Sequence, residues 1–450
     1  MKSFKKFYFK GFDFNKAELK ASFHYSFDDE VNFIETIDFK CAGFEIKKNL
    51  DDEILNNLLF HLSIALGISY YKLYPTKYLV VESGKLDDFQ IKFWQKMYLN
   101  GLSEFLYRNK ISPKGLFNFV NSSEKEYKKI DFETNPRALL AIGGGKDSLV
   151  SAELLRESGI DFTLITFGKD YVLHQATEKA VGKNRILIKR QISPNLFELS
   201  VNYYNGHVPI TGIIAFVLEV VAYLYDYKYI VLSNERSANY GNTTREGITI
   251  NHQYSKSLEF EKDLEEFVEK YISSEVKYFS LLRGMYEVKI AQIFSKYKQY
   301  FNVFSSCNNN FKIIESNKTT KDRWCLNCPK CAFVYTILRS YLTNDETIEI
   351  FGKEMFEDLT QEQVFRDLLG ISGIKPFECV GTNEEVILSM KLSFDKFKKE
   401  GKTIPFILKI FEKEVLSKMH NEDFENLSEK LLKVYDENII PEEILSKLNL

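Results

Sequence analysis

Arg137-Ala-Leu-Leu-Ala-Ile-Gly-Gly-Gly-Lys-Asp-Ser-Leu-Val-Ser151 is the stretch that decides the fold class. The run Leu139 to Ile142 has the composition of a strand buried on both faces. Three glycines follow at once, and Leu149 to Leu155 continue at helical spacing. Gly159 closes that helix as a left-handed residue just past its end. The unit is strand, glycine turn, helix. Glycine tolerates positive φ and lets a ligand approach the backbone. The first amides of a helix lack internal partners and lie at the positive end of its dipole. A phosphate satisfies both. The spacing before Lys146 is not that of a Walker loop, and no G-x-G-x-x-G with an acidic ribose anchor is present. The alternative is a tight βα turn without ligand.

The loop resembles the pyrophosphate loop, S-G-G-x-D-S, of the ATP pyrophosphatases of the PP-loop superfamily, with Gly143 in place of the first serine. That resemblance implies a doubly wound parallel sheet and cleavage of ATP to AMP and pyrophosphate with adenylation of a substrate. The phosphates are then expected on Gly143, Gly144, Gly145, Lys146, Asp147 and Ser148. Asp147 and Ser148 would help place Mg2+, and Lys146 would neutralise phosphate charge.

Outward from this unit the chain reads as three parts, residues 1–130, 131–345 and 346–450. With 450 residues, two or three domains are the prior. In the first part Leu19, Ala21, Phe23, Tyr25 and Phe27 alternate with mostly polar neighbours. A turn at Asp28 to Glu30 follows, and Val31, Phe33, Ile37 and Phe39 resume the period of two that marks a half-buried antiparallel hairpin. Helices are expected over 52–66 and 87–108, and a polar linker over 121–136. The middle part alternates strands (162–167, 185–188, 229–233, 300–304) with helices (210–225, 255–271, 286–299), the pattern of a doubly wound α/β sheet. The last part is helical and charged, interrupted by Phe377-Glu-Cys-Val-Gly-Thr382.

Composition narrows the function. A net charge of −3 offers no general affinity for nucleic acid. The basic start lacks the apolar core of a signal peptide, and no apolar run reaches the length of a membrane span. Six cysteines, three of them clustered, point to a metal site in a reducing, cytoplasmic setting rather than to disulfides.

Cys325-Leu-Asn-Cys328-Pro-Lys-Cys331 with Cys307 upstream supplies four thiolates at a spacing suited to tetrahedral structural zinc. Buried free cysteines or an iron–sulfur cluster are the alternatives. A similar late cysteine cluster occurs in 7-cyano-7-deazaguanine synthase, over the middle of the chain only. A resemblance over nearly the whole chain rests on Gly-Ile-Ser-Tyr-Tyr-Lys72, the glycine loop, Gly-His-Val-Pro209, Ser-Asn-Glu-Arg-Ser-Ala-Asn239, the cysteine run from Trp324 and Lys-Pro-Phe-Glu-Cys-Val-Gly-Thr382. In these the sequence resembles the UDP-N-acetylmuramoyl-L-alanyl-L-glutamate epimerase family. The resemblance implies ATP-dependent conversion of the terminal L-Glu of a UDP-muramoyl dipeptide to D-Glu; ATP and Mg2+ at the glycine loop and structural Zn2+ at the thiolates are the cofactors expected.

Glu235 and Arg236 follow a strand's carboxyl end. Arg236 is a candidate holder of a substrate carboxylate, with a surface turn as the alternative. Glu235, Glu378 and Cys379 are candidates for the group that handles the α-proton, and His207 for a substrate contact. A small buried thiol is the alternative for Cys379, and a core or capping role for His207. A PP-loop ligase, a nucleobase- or tRNA-modifying enzyme, and a nucleotide-binding regulatory protein are the competing functions. The oligomeric state is not legible in the sequence.

Overall fold

The computed structural model describes residues 3–311, 323–373 and 375–448. Alternation builds the first half of the sheet. Strands β1 (Lys6–Asn15), β2 (Lys20–Phe27) and β3 (Val31–Asp38) form an antiparallel meander. Their inward residues, among them Phe7, Phe9, Phe23, Tyr25 and Phe33, are buried, each worth roughly 1.5–3 kcal/mol relative to exposure. The turn takes left-handed backbone at Asp28 and Asp29, which short polar residues tolerate.

The helix Asp52–Tyr71 covers this face. Asp51 caps it by accepting from the amides of Glu53 and Ile54. It lies so close that a Cβ at Gly67 would sit 2.4 Å from a ring carbon of Phe9. The helix runs five residues beyond the expected end. By length and composition alone it could cross a membrane, contrary to the sequence reading, yet 94% of its most apolar window is buried within the protein. Strands β4 (Tyr78–Val81) and β5 (Asn118–Asn121) join β1 in parallel. The expected helix over 87–108 is two helices, Asp88–Gly101 and Ser103–Arg108. Residues 122–136 carry no regular element.

The second half is the βα series: β6 (Ala138–Ala141), β7 (Phe162–Phe167), β8 (Arg185–Gln191) and β9 (Tyr229–Leu232). After β9 come a two-stranded hairpin, β10 (Thr243–Arg245) and β11 (Ile248–Ile250), and then β12 (Lys277–Ser280). The order β12-β9-β6-β7-β8 is parallel throughout. Because β8 pairs antiparallel with β3, ten strands form one continuous, mostly parallel sheet. The chain leaves β6 toward β7 and β8 and returns to β9 and β12 on the other side. The carboxyl ends of β6 and β9 therefore flank a topological switch point, where ligands sit in open α/β sheets.

Two expectations are corrected. Tyr300–Phe304 is not a strand: a short 3-10 turn, Lys298–Tyr300, leads into it, and its aromatics are simply buried. Strand propensity reports fit to a half-buried surface rather than a backbone preference. The strand is β12 instead, with the helix Glu287–Phe294 after it, shorter than the 286–299 expected. The C-terminal part is helical, as expected, with helices that include Pro329–Arg339, Glu362–Leu369, Asn383–Lys399 and Phe406–Glu414. They share a core with Leu140, Leu149 and Val231 of the sheet half through Phe333, Phe365, Phe394 and Phe411. Residues 377–382 remain without regular structure.

Candidate active site

Three loops meet at the switch point. The first is Gly143 to Gly145, between β6 and the helix Lys146–Glu157. Gly144 has φ +78°, and a Cβ there would lie 2.5 Å from Leu173; only glycine suits both constraints. The Ser305 amide donates to its carbonyl at 2.9 Å. Gly145 caps the helix with no side-chain hydrogen bond, which leaves the first-turn amides to an anion. Ser148 Oγ donates to the Gly145 carbonyl at 3.1 Å. Lys146 turns inward: its buried Nζ donates to Asp147 at 2.5 Å and to Glu287.

The second loop follows β9 and carries Glu235, whose carbonyl accepts from Arg283 Nη1 at 2.7 Å. Arg283 is itself fully buried on Glu261, at 2.5 Å, so the corner is held by a buried ion pair. The third loop leaves β12 and ends at Glu287, whose amide donates to Ser237 Oγ at 3.3 Å. Carboxylate oxygens of Asp147, Glu235 and Glu287 all lie within 4.8 Å of one another, and Lys330 approaches Glu287 at 3.4 Å. Burial, with Glu287 and Glu235 adding repulsion, pushes Asp147 up to about 6 against the pull of Lys146. Burial would raise Glu287 as well, but Lys146 and Lys330 hold it down. Clustered oxygen donors of this kind suit Mg2+, so the residues fit the expected ion.

Arg236 lies apart from this cluster. Its guanidinium sits 3.9 Å from the Tyr435 ring centre and 2.9 Å from Glu437, holding the C-terminal segment rather than facing Glu235's partners. Lys256, Lys330, Lys375 and His252 act electrostatically on Cys379.

Cys379 is brought to the site by its flanks. Asn242 Nδ2 donates to the Pro376 carbonyl at 2.9 Å, Gln253 Nε2 to that of Val380 at 3.3 Å, and Asn308 Nδ2 to the Glu378 carboxylate. The Phe377 ring rests on Tyr107 and under Arg108. Lys256 Nζ is 3.6 Å from Cys379 Sγ, and His252 also acts on the sulfur. Burial pushes the thiol up, but Lys256, His252 and Lys330 outweigh it and hold Cys379 at about 6. Lys256 also feels the charge of Glu235, Asp147 and Glu287. Burial raises Glu378. His207 lies 3.6 Å from Glu104 and 4.5 Å, centre to centre, from the His252 ring. Burial and His252 lower it to about 3, which leaves it neutral.

The sulfurs of Cys307, Cys325, Cys328 and Cys331 lie within 4.8 Å of one another, and all six cysteines are free thiols. A tetrahedron with Zn–S near 2.3 Å has sulfurs about 3.8 Å apart; Cys325 and Cys331 are at 3.7 Å. Cys307 is buried and follows a turn at 301–303. Cys328 caps the helix Pro329–Arg339, whose second residue is Lys330. The residues fit zinc, and the ion would tie that helix to the 305–307 segment beneath the glycine loop. We expect about one zinc per chain by elemental analysis of protein purified without added metal. Stripping it should lower the thermal midpoint by several degrees; active, fully stable protein without zinc would refute the assignment.

The sequence reading missed Glu104, His252, Lys256 and Glu287, which sit in no motif and are gathered only by packing. Lys330 and Lys375 lay inside quoted segments, and their place there was the available signal.

Family models for the MurL N-terminal domain and the MurL C-terminal domain match residues 1–281 and 303–425. A protein of Xanthomonas oryzae pv. oryzae named UDP-N-acetyl-alpha-D-muramoyl-L-alanyl-L-glutamate epimerase is 34% identical over 366 residues, 81% of this chain and 80% of its own length. Proteins of the same name from a Micromonospora strain and from Salinispora tropica are 34% and 33% identical, each over 86% of this chain and over 86% and 84% of their own lengths.

Proposed function

We propose a mechanism from one premise: the chain belongs to the MurL family of UDP-N-acetyl-alpha-D-muramoyl-L-alanyl-L-glutamate epimerases. It is an epimerase of peptidoglycan precursor synthesis, and the substrate we assign is the UDP-muramoyl dipeptide of its relatives' names. The α-proton of a glutamate is hard to remove beside an ionised carboxylate, because the carbanion would adjoin a negative charge. Adenylation of that carboxylate by ATP releases pyrophosphate, removes the charge and leaves an electron-withdrawing carbonyl.

In this reading the sheet is of PP-loop type, and the amides from Gly143 to Ser148 bind the ATP phosphates. Asp147, Glu235 and Glu287 would hold Mg2+, which neutralises phosphate charge when bound. Lys256, Lys330 and Lys375 receive the anionic groups of substrate and nucleotide. The Cys379 thiolate takes the α-proton, a proton returns to the opposite face, and water cleaves the mixed anhydride to D-Glu and AMP. Free thiols and ATP use favour a cytoplasmic setting.

The observation that carries the reading is the Cys379 thiol 3.6 Å from Lys256 Nζ, a lysine that also feels the charge of Asp147, Glu235 and Glu287. A base of matched pKa within reach of Cα is what proton abstraction requires. Reaction in D2O should place deuterium at Cα of the D-Glu product and yield AMP and pyrophosphate in equal amounts. D-Glu formed without ATP, or without solvent deuterium, would exclude this route.

A further inference from the structure

The helix Ser103–Arg108 and the segment after the β10–β11 hairpin are distant in sequence, yet they meet beside Cys379. Glu104 is buried, at 4% exposure, and its Oε2 lies 2.5 Å from His252 Nδ1. Its other oxygen accepts from Arg108 Nε at 2.6 Å, so both carboxylate oxygens are engaged. The backbone of His252 is fixed as well, its amide donating to Asn242 Oδ1 at 3.0 Å. The same Asn242 holds the carbonyl of Pro376, so one asparagine sets both the imidazole and the cysteine segment. His252 and the sulfur of Cys379 act on one another electrostatically, and Lys256 Nζ stands 3.6 Å from the same sulfur. Thiol, imidazole and carboxylate stand in the order of a nucleophile or base, its partner, and the group that orients the partner.

We infer that Glu104 and His252 are positioning residues that hold Cys379 as a reactive thiolate, Glu104 by orienting the imidazole through Nδ1 and His252 by presenting a charged ring to the sulfur. Burial opposes charge on His252, but hydrogen bonds to Cys379 and Glu104 outweigh it and raise the ring to about 9. The other groups around the pair are Lys256, Lys330 and Lys375, which favour the thiolate, and Glu378 and neutral His207, which face the imidazole. The purpose of the thiolate rests on the proposed proton transfer; its existence does not.

The test is therefore run without ATP or substrate. The full-length protein is treated with iodoacetamide between pH 5 and pH 10, and labelling of Cys379 is followed by peptide mass spectrometry. In the parent, the labelling rate should rise with a midpoint near 6, well below the ordinary thiol value of about 8.5. His252→Asn should move the midpoint up by at least one unit, and Glu104→Gln should move it the same way by less. His252→Gln serves as a second variant should the first misfold, with calorimetry as the check on folding. A parent midpoint in the ordinary thiol range, or unchanged midpoints in folded variants, would overturn the inference. A shifted midpoint in a protein that forms no D-Glu would leave it standing and defeat the proposed reaction instead.

Discussion

Cys379→Ala should release pyrophosphate in a first-turnover burst and yet form D-Glu about 10²–10⁴-fold more slowly than the parent, the usual worth of a positioned acid–base group. The two halves separate because different loops serve them. In the proposed mechanism adenylation draws on the glycine loop and the carboxylates behind it, whereas the α-proton falls to a residue on the C-terminal segment. Truncation of this half-buried side chain removes the sulfur and its contact with Lys256, while Asn242, Gln253 and Asn308 keep the segment's flanks. A variant that epimerises at the parent rate would remove Cys379 from the mechanism.

The same pair sets the pH profile. Cys379 is held below its ordinary value, at about 6, so the thiolate is present above that pH and lost below it. His252 is held above its ordinary value, at about 9, so the imidazolium partner persists below that pH and is lost above it. The kcat/KM for epimerisation should form a bell with limbs near these values, belonging to the pair rather than to either residue alone.

Asp147→Asn should reduce pyrophosphate release about 10²–10³-fold, the scale seen when one electrostatic contact to developing charge is removed. Asparagine keeps the volume and an acceptor for Lys146, and Glu287 still pairs that lysine. The fold should survive, with a melting temperature within a few degrees of the parent. Glu287→Gln is the contrasting case. It leaves Lys146 and Lys330 without their shared counter-charge, and breaking a buried pair in this way costs about 3–5 kcal/mol. Loss of pyrophosphate release in a folded Asp147→Asn protein supports the nucleotide site; release at the parent rate would place ATP elsewhere.

What the sequence alone determined is what short-range physics encodes. Period-two alternation marked the β2–β3 hairpin, and an apolar run followed by three glycines marked β6 and its turn. Thiols two residues apart marked the cysteine cluster, and the quoted segments pointed to the family. Each signal spans a few residues, so each survives without knowledge of the rest. Tertiary structure alone decided that β8 joins β3 to make one sheet, that β12 rather than 300–304 is the edge strand, and that Arg236 faces the C-terminal segment. It alone brings Glu104, His252, Lys256 and Cys379 together across 275 residues of chain (104 to 379). Cys379 lies in a segment the sequence singled out, but nothing local distinguishes Glu104, His252 and Lys256 from ordinary helix and loop residues. Their chemistry comes from burial and from one another's charge, and both exist only after the chain has packed.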